Sequence, residues 1–461
     1  MTATWPRLEA PSDGLIRSGD PGLRRGSRLR SAAIVAGLAW LVMASGQSSP
    51  AGETLAFIGA TVVPVASAEI AAGTVIVTDG RIVAVGPAAT TPVPDGAERI
   101  DVTGKVIIPG LVDTHSHIGG GSGGDSSAPV QPDVRILDSI NPRDPGFRKA
   151  RAGGLTTLNI MPGSGLLVSG QTVYVKLRRV DTMEELLQRD AAGNALVGLK
   201  MANGTNSQRD PPFPGTRGKS AAIVRQKFTA ARDYQRKLAD PDVTKRPPRD
   251  LELESLVECL AGRRIVHHHS HRADDILTVL RLREEFGFRV VLHHVSEAWK
   301  VSGELARAGV PCSVIVLDSP GGKIEAMDMS LATGAVLEAA GVPCALHTDD
   351  PVTDSRLFLR SAALAVRAGM SREKALEALT LAGARMLDLG DRVGSLEPGK
   401  DADLVILSGD PFSIRTKVLQ TWVEGRKVFD RDDPEDRLFA VGGYGAGRDQ
   451  QAEMCCAGPT K

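Results

Sequence analysis

Between residues 106 and 390 the chain alternates short apolar runs with helical patterns, and this restricts the fold more than any other feature. The runs fall at 106–112, 154–161, 172–177, 195–201, 264–268, 289–293, 311–317 and 343–347. Each is nearly continuous in apolar residues, as expected of a strand covered on both faces in a parallel sheet. Helical patterns at 251–260, 273–286 and 372–389 separate or follow them, the last with Ser371 as N-cap and Gly390 beyond its end. Eight such strands predict an α/β fold, a (β/α)8 TIM barrel over 106–390. The stretch 202–250 is long, polar and rich in Pro, Arg and Lys, and reads as an inserted loop or lid of that barrel.

Two β-rich blocks flank the barrel. The first has runs at 55–63, 74–78 and 81–85, with the hairpin turn Asp79-Gly80. The second has runs at 402–407, 421–423 and 426–429, with Glu424-Gly425 as its turn. The blocks predict a small β-sandwich domain built from both ends, 53–105 and 391–430. The Gly-rich polar tail 431–461 reads as disordered. No internal repeat is evident.

At the N-terminus Arg24, Arg25, Arg28 and Arg30 precede an apolar run at 32–44 that closes on Ala44, Ser45 and Gly46. Thirteen apolar residues are too few to span a bilayer comfortably, so 1–46 reads as a signal peptide, by either the general or the twin-arginine route. The protein is expected outside the cytoplasm, periplasmic or extracellular, with no stable membrane span after cleavage. The 55 Lys+Arg balance 55 Asp+Glu and aromatics make up only 4%, so neither a basic field nor a stacking platform recruits nucleic acid. Five irregularly spaced cysteines supply neither a disulfide framework nor paired zinc motifs.

All nine histidines stand at the C-terminal ends of predicted barrel strands, where barrel active sites are built. His115 and His117 end the first strand, His267, His268, His269 and His271 the fifth, His293 and His294 the sixth, and His347 the eighth. Residues two apart on an extended backbone face the same way, so His115 and His117 can share one metal ion. Asp349 adds an acid two residues beyond His347. A cation held there lowers the pKa of its water to about 7, and a nearby carboxylate can take the proton during attack on a carbonyl. The chemistry implied is hydrolysis.

The stretches GKVIIPGLVDTHSH, HSHRADDI, LHHVSE, HTDDP and GSLEPGKDADLVIL, in that order, resemble the amidohydrolase superfamily, close to its imidazolonepropionase-like and prolidase-like members. The resemblance covers about 53–430 and implies a metal-dependent barrel with a small β-sandwich. It implies His115, His117, Lys200, His269, His294 and Asp349 as ligands of two divalent ions, zinc foremost, with Asp349 also moving the proton. Lys200, ending the fourth strand, matches a lysine that CO2 carboxylates to bridge two metals. His271 is implied as a substrate or supporting contact, with a two-residue exchange of roles between His269 and His271 left open. His267, His268 and His293 are assigned to the barrel wall or to polar neighbours.

Mononuclear deaminases of the superfamily carry a glutamate where Arg272 stands, which disfavours deamination and the imidazolonepropionase reaction itself. Arg272 instead reads as a partner for a substrate carboxylate, with Arg178 and Arg217 as weaker candidates. The leading expectation is hydrolysis of a C–N bond in a dipeptide or N-acyl amino acid. A cyclic amide hydrolase is the second reading, and a non-catalytic barrel scaffold the third, although none of the six ligands is lost. The expected partner is a small amide or peptide, and a homo-oligomer is compatible with the sequence.

Overall fold

A computed structural model describes residues 53–120, 124–317 and 323–441. The expected signal segment 1–46 and the tail beyond 441 lie outside the described residues. Among the described residues no helix is long and apolar enough to cross a membrane.

The chain is mixed α/β. Both ends contribute to one eight-stranded sheet: β1 (Thr54–Val62), β2 (Ile70–Thr78), β3 (Arg81–Pro87) and β4 (Glu98–Asp101) come from the first block, and β5 (Val106–Pro109), the start of the run expected as the first barrel strand, joins them instead. The remaining three strands of that sheet, which follow the central region, are Leu404–Leu407, Val418–Val423 and Arg426–Asp430. Leu404–Leu407 pairs antiparallel with β5 and joins the two blocks. The predicted hairpin turns are present: Asp79 and Gly80 have φ of 51° and 74°, Glu424 and Gly425 of 49° and 70°. The turns touch, since a Cβ on Gly80 would lie 2.7 Å from the Glu424 carbonyl oxygen. Glycine at 80 is therefore required for space as well as for φ.

The central strands are β6 (Leu111–Ser116), β7 (Leu155–Ile160), β8 (Val168–Gln171), β9 (Val173–Lys176), β10 (Leu199–Ala202), β11 (Val266–Ser270), β12 (Val290–His294), β13 (Cys312–Ile315) and β14 (Cys344–His347). One sheet runs β14-β13-β12-β11-β10-β8 and a second β6-β7-β9. Backbone hydrogen bonds join them at both edges. Asp349 N donates to His115 O at 2.9 Å, and Tyr174 N to Leu196 O at 3.0 Å. β10 to β14 are mutually parallel, as expected. The run at 172–177 departs from expectation: β9 pairs antiparallel with β7. No helix lies between β7 and β9 to carry the chain back, so it can only return in the opposite direction.

Three further expectations are corrected. The 202–250 insertion is not a structureless loop, because Arg217–Leu238 forms a helix capped by Thr216. Val224, Phe228 and Ala231 on one face are buried, with the Phe228 ring 5.3 Å from Phe286 and 5.1 Å from Phe288. The helix expected at 372–389 breaks at Thr380 into Arg372–Leu379 and Leu381–Met386, and the Thr380 hydroxyl donates to Leu376 O. The tail is ordered as far as 441: Pro434–Val441 is helical and buries Phe439 beneath the Arg148 guanidinium.

The sheet domain is tied to the central strands by charge. Lys176, fully buried on β9, pairs with Asp401, Asp403 and Glu424, and Arg178 grips both Glu424 oxygens at 2.7 Å. Burial works to raise the Glu424 carboxyl, but the Arg178 and Lys176 charges hold it at about 2 against an ordinary 4.5. A depressed carboxyl contributes stability that is present above the unfolded value and is lost as pH falls through the folded one. Glu424→Gln should cost about 1.5–3 kcal/mol near pH 7, the usual worth of hydrogen bonds to a charged group. The gap to wild type should narrow as pH falls from about 4.5 toward 2. Urea denaturation at pH 7 and pH 3 measures both, and an unchanged gap at pH 3 would refute the assignment.

Candidate metal centre

The site grows from the end of β6. Alternation places the His115 and His117 rings on one face, with their Nε2 atoms 3.1 Å apart. His117 Nδ1 lies 2.7 Å from Met161 O and donates there, which leaves the Nε2 lone pair directed at its neighbours. Asp349, just past β14, puts Oδ1 3.0 Å from His117 Nε2 and 3.3 Å from His115 Nε2. His294, ending β12, places Nδ1 3.9 Å from Asp349 Oδ2. Lys200, wholly buried on β10, brings Nζ to 3.1 Å from His115 Nε2.

These strand ends are strained. His294, Val295 and Asp349 have φ of 67°, 43° and 53°, a region that costs a non-glycine residue about 1–3 kcal/mol and tends to cluster at functional sites.

Electrostatics favour a cation. Burial, followed by the charges of Lys200 and neighbouring rings, pushes His115 well below its ordinary range. Burial does the same to His269 and His294, and takes His271 and His347 down to about 3. Near neutral pH these rings are uncharged, the form that ligates metal. Asp349 is the opposite case, since burial would raise its carboxyl but the adjacent His117 ring and nearby charges hold it low. His294 Nε2 and His271 Nε2, both buried, have no hydrogen-bond partner among the described residues. Three groups bring their donor atoms within 4.8 Å of one another: His115, His294 and Asp349; His115, His293 and His347; His269, His271 and Glu325. Neutral imidazoles, an ionised carboxylate and orphaned ring nitrogens together fit a divalent cation.

Residues 251–429 match the Amidohydrolase family profile. Amidohydrolase tasK of Hapsidospora irregularis is 29% identical over 378 residues, which is 74% of this chain and 38% of that protein. The chain thus spans well under half of that relative's length. An imidazolonepropionase of Stenotrophomonas maltophilia (strain R551-3) is 27% identical over 72% of this chain and 85% of its own length. A solved amidohydrolase from Thermotoga maritima MSB8 is 38% identical, with a TM-score of 0.76 over 82% of this chain and 100% of that one. This chain belongs to the amidohydrolase superfamily.

Its homologues support hydrolysis at C–N bonds, and its structural neighbours imply a TIM-barrel fold. In this amidohydrolase His115, His117, Lys200, His294 and Asp349 lie together at the strand ends. His269 and His271 stand beside them, with the His269 and His294 ring centres 4.4 Å apart. Arg272 does not reach the cluster: it is exposed and forks onto Asp274 at 2.9 and 3.1 Å. Arg178 serves the sheet domain, and Arg217 bonds Asp275. His267 meets its polar neighbours, with Tyr174 Oη at 2.8 Å and His293 Nε2 at 3.0 Å. His293, assigned from sequence to the wall or to polar neighbours, meets His267 and also has a ring nitrogen within 4.8 Å of donor atoms of His115 and His347. Sequence reasoning missed Glu325, which sits in the loop after β13 with no motif around it. A cleft of about 820 Å³ lined by Arg81, Arg178 and Glu424 lies at the sheet junction, and none of the nine histidines lines it.

Proposed function

We propose that this amidohydrolase is a metal-dependent hydrolase of a C–N bond in a dipeptide or N-acyl amino acid. The central strands would form its (β/α)8 barrel, and the eight-stranded sheet its β-sandwich domain. The observation that carries the reading is the convergence of His115, His117 and His294 on Asp349 within 3.0–3.9 Å. His115, His117, His294 and Asp349 would hold one divalent ion, and His269 would serve a second, with Lys200 between them as a carbamate. When bound, such an ion, zinc by its donor set, supplies Lewis acidity that makes hydroxide available near neutral pH.

The protein's own groups do the rest. Asp349, held ionised, takes a proton from the attacking water and returns it to the departing nitrogen. The water oxygen bonds to the carbonyl carbon, the C–N bond breaks, and a carboxylate and an amine leave. Deep burial of the rings excludes bulk water and strengthens each charge interaction. Arg272, once turned from Asp274, is the candidate partner for a substrate carboxylate. The signal-like pattern of 1–46 supports a site of action outside the cytoplasm, where peptides and amides can be scavenged.

Similarity to imidazolonepropionases favours a second reading, opening of a cyclic amide. Assay of purified, metal-analysed protein against dipeptides, N-acyl amino acids and cyclic amides separates the two. The expected result is hydrolysis of a linear substrate that disappears on chelation. Full activity in metal-free protein would sink the proposal.

A further inference from the structure

Three buried donors stand on the fifth-strand side of the centre. His269 lies on β11, His271 follows that strand, and Glu325 arrives from the loop after β13. Their exposures are 0%, 8% and 6%, and one donor atom from each lies within 4.8 Å of the others.

Each has a partner on one side and none on the other. Glu325 Oε2 accepts from Thr205 N at 2.9 Å, while its Oε1 is buried with no hydrogen-bond partner among the described residues. Arg217 is an incomplete counter-ion, since its Nε bonds both Asp275 oxygens at 3.0 and 2.9 Å and only Nη2 reaches Glu325, at 3.4 Å. His271 Nδ1 lies 2.8 Å from Ser296 Oγ, and in the tautomer that donates there Nε2 keeps its lone pair; Nε2 is buried with no hydrogen-bond partner among the described residues. Ligating histidines are typically oriented in this way, through the other ring nitrogen. His269 Nε2 is 3.1 Å from the Asn206 amide, and its Nδ1 is also without a hydrogen-bond partner among the described residues. The nearby Lys323 ammonium is engaged by the Asn206 carbonyl oxygen at 2.5 Å. A buried carboxylate with one oxygen unpaired is costly unless a cation meets it.

We propose that Glu325 and His271 join His269 as direct donors to the second divalent cation. Two imidazoles and one carboxylate form a donor set that suits zinc and leaves a position open for substrate or water. The proposal rests on the metal-dependent reading above and moves His271 from substrate contact to ligand. It also makes the second cation independent of any modification of Lys200.

The test uses the full chain, stripped of metal and titrated with Co²⁺, whose visible absorption reports each occupied position, and with Zn²⁺ followed by elemental analysis. Wild type should take up about two ions per chain. Glu325→Gln, which keeps the bond to Thr205, should bind the second ion at least about tenfold more weakly and lose its cobalt signal. His271→Gln should behave alike and decides the matter if Glu325→Gln misfolds. His115→Ala with His117→Ala should lose the other ion and keep this one. Two ions held at wild-type affinity in both glutamine variants would overturn the proposal alone. A wild type that binds no cation would overturn it together with the reading on which it rests.

Discussion

Replacing His115 and His117 together by alanine is expected to lower kcat/KM by about 10³-fold or more and to remove the Asp349-centred ion. Two of the nitrogens nearest Asp349 disappear, at 3.3 and 3.0 Å, and the remaining donors are fewer than a catalytic site normally uses. Lewis acidity is worth several kcal/mol to the transition state, and each 1.36 kcal/mol is a factor of ten in rate. Circular dichroism would establish that the double variant folds, and elemental analysis that one ion has gone. Retained turnover in a folded, metal-poor variant would remove the basis for metal chemistry here.

Lys200→Ala should cost at least about 100-fold in kcat, a loss that short carboxylic acids with bicarbonate partly restore. Lys200 is fully buried on its strand, with Nζ 3.1 Å from His115 Nε2 and 2.9 Å from Met161 Sδ. Its neutral amine can attack CO2, releasing a proton and forming an N–C bond, so that a carboxylate replaces a cation beside the histidines. Protein prepared in ¹³C-bicarbonate should show a carbamate resonance that the alanine variant lacks. An alanine variant with wild-type kcat, or a labelled protein without that resonance, would rule out the bridging role.

Much of this architecture was legible because it is written in local periodicity. Buried strands announce themselves as apolar runs, and the Asp79-Gly80 and Glu424-Gly425 turns as residues that tolerate positive φ. The helix at Arg217–Leu238 was concealed by its many charged residues, although Val224, Phe228 and Ala231 already kept helical spacing. The direction of β9 was not legible, because alternation is the same for a strand read either way; only the missing crossover helix reveals it. The helix beyond the break at Thr380 packs closely. Gly383 sits so close to β6 that a Cβ there would lie 3.0 Å from the Val112 carbonyl oxygen.

The sequence by itself determined that His115 and His117, two residues apart at one strand end, share a face. Covalent spacing suffices for that, since a strand repeats every two residues. Only the tertiary structure decided which strand ends meet. It set His294 against Asp349, turned Arg272 outward onto Asp274, and carried Glu325 from a loop without a motif to His269 and His271. Those encounters depend on sheet register and on how the edges of the two central sheets are joined, and no local pattern encodes such long-range geometry.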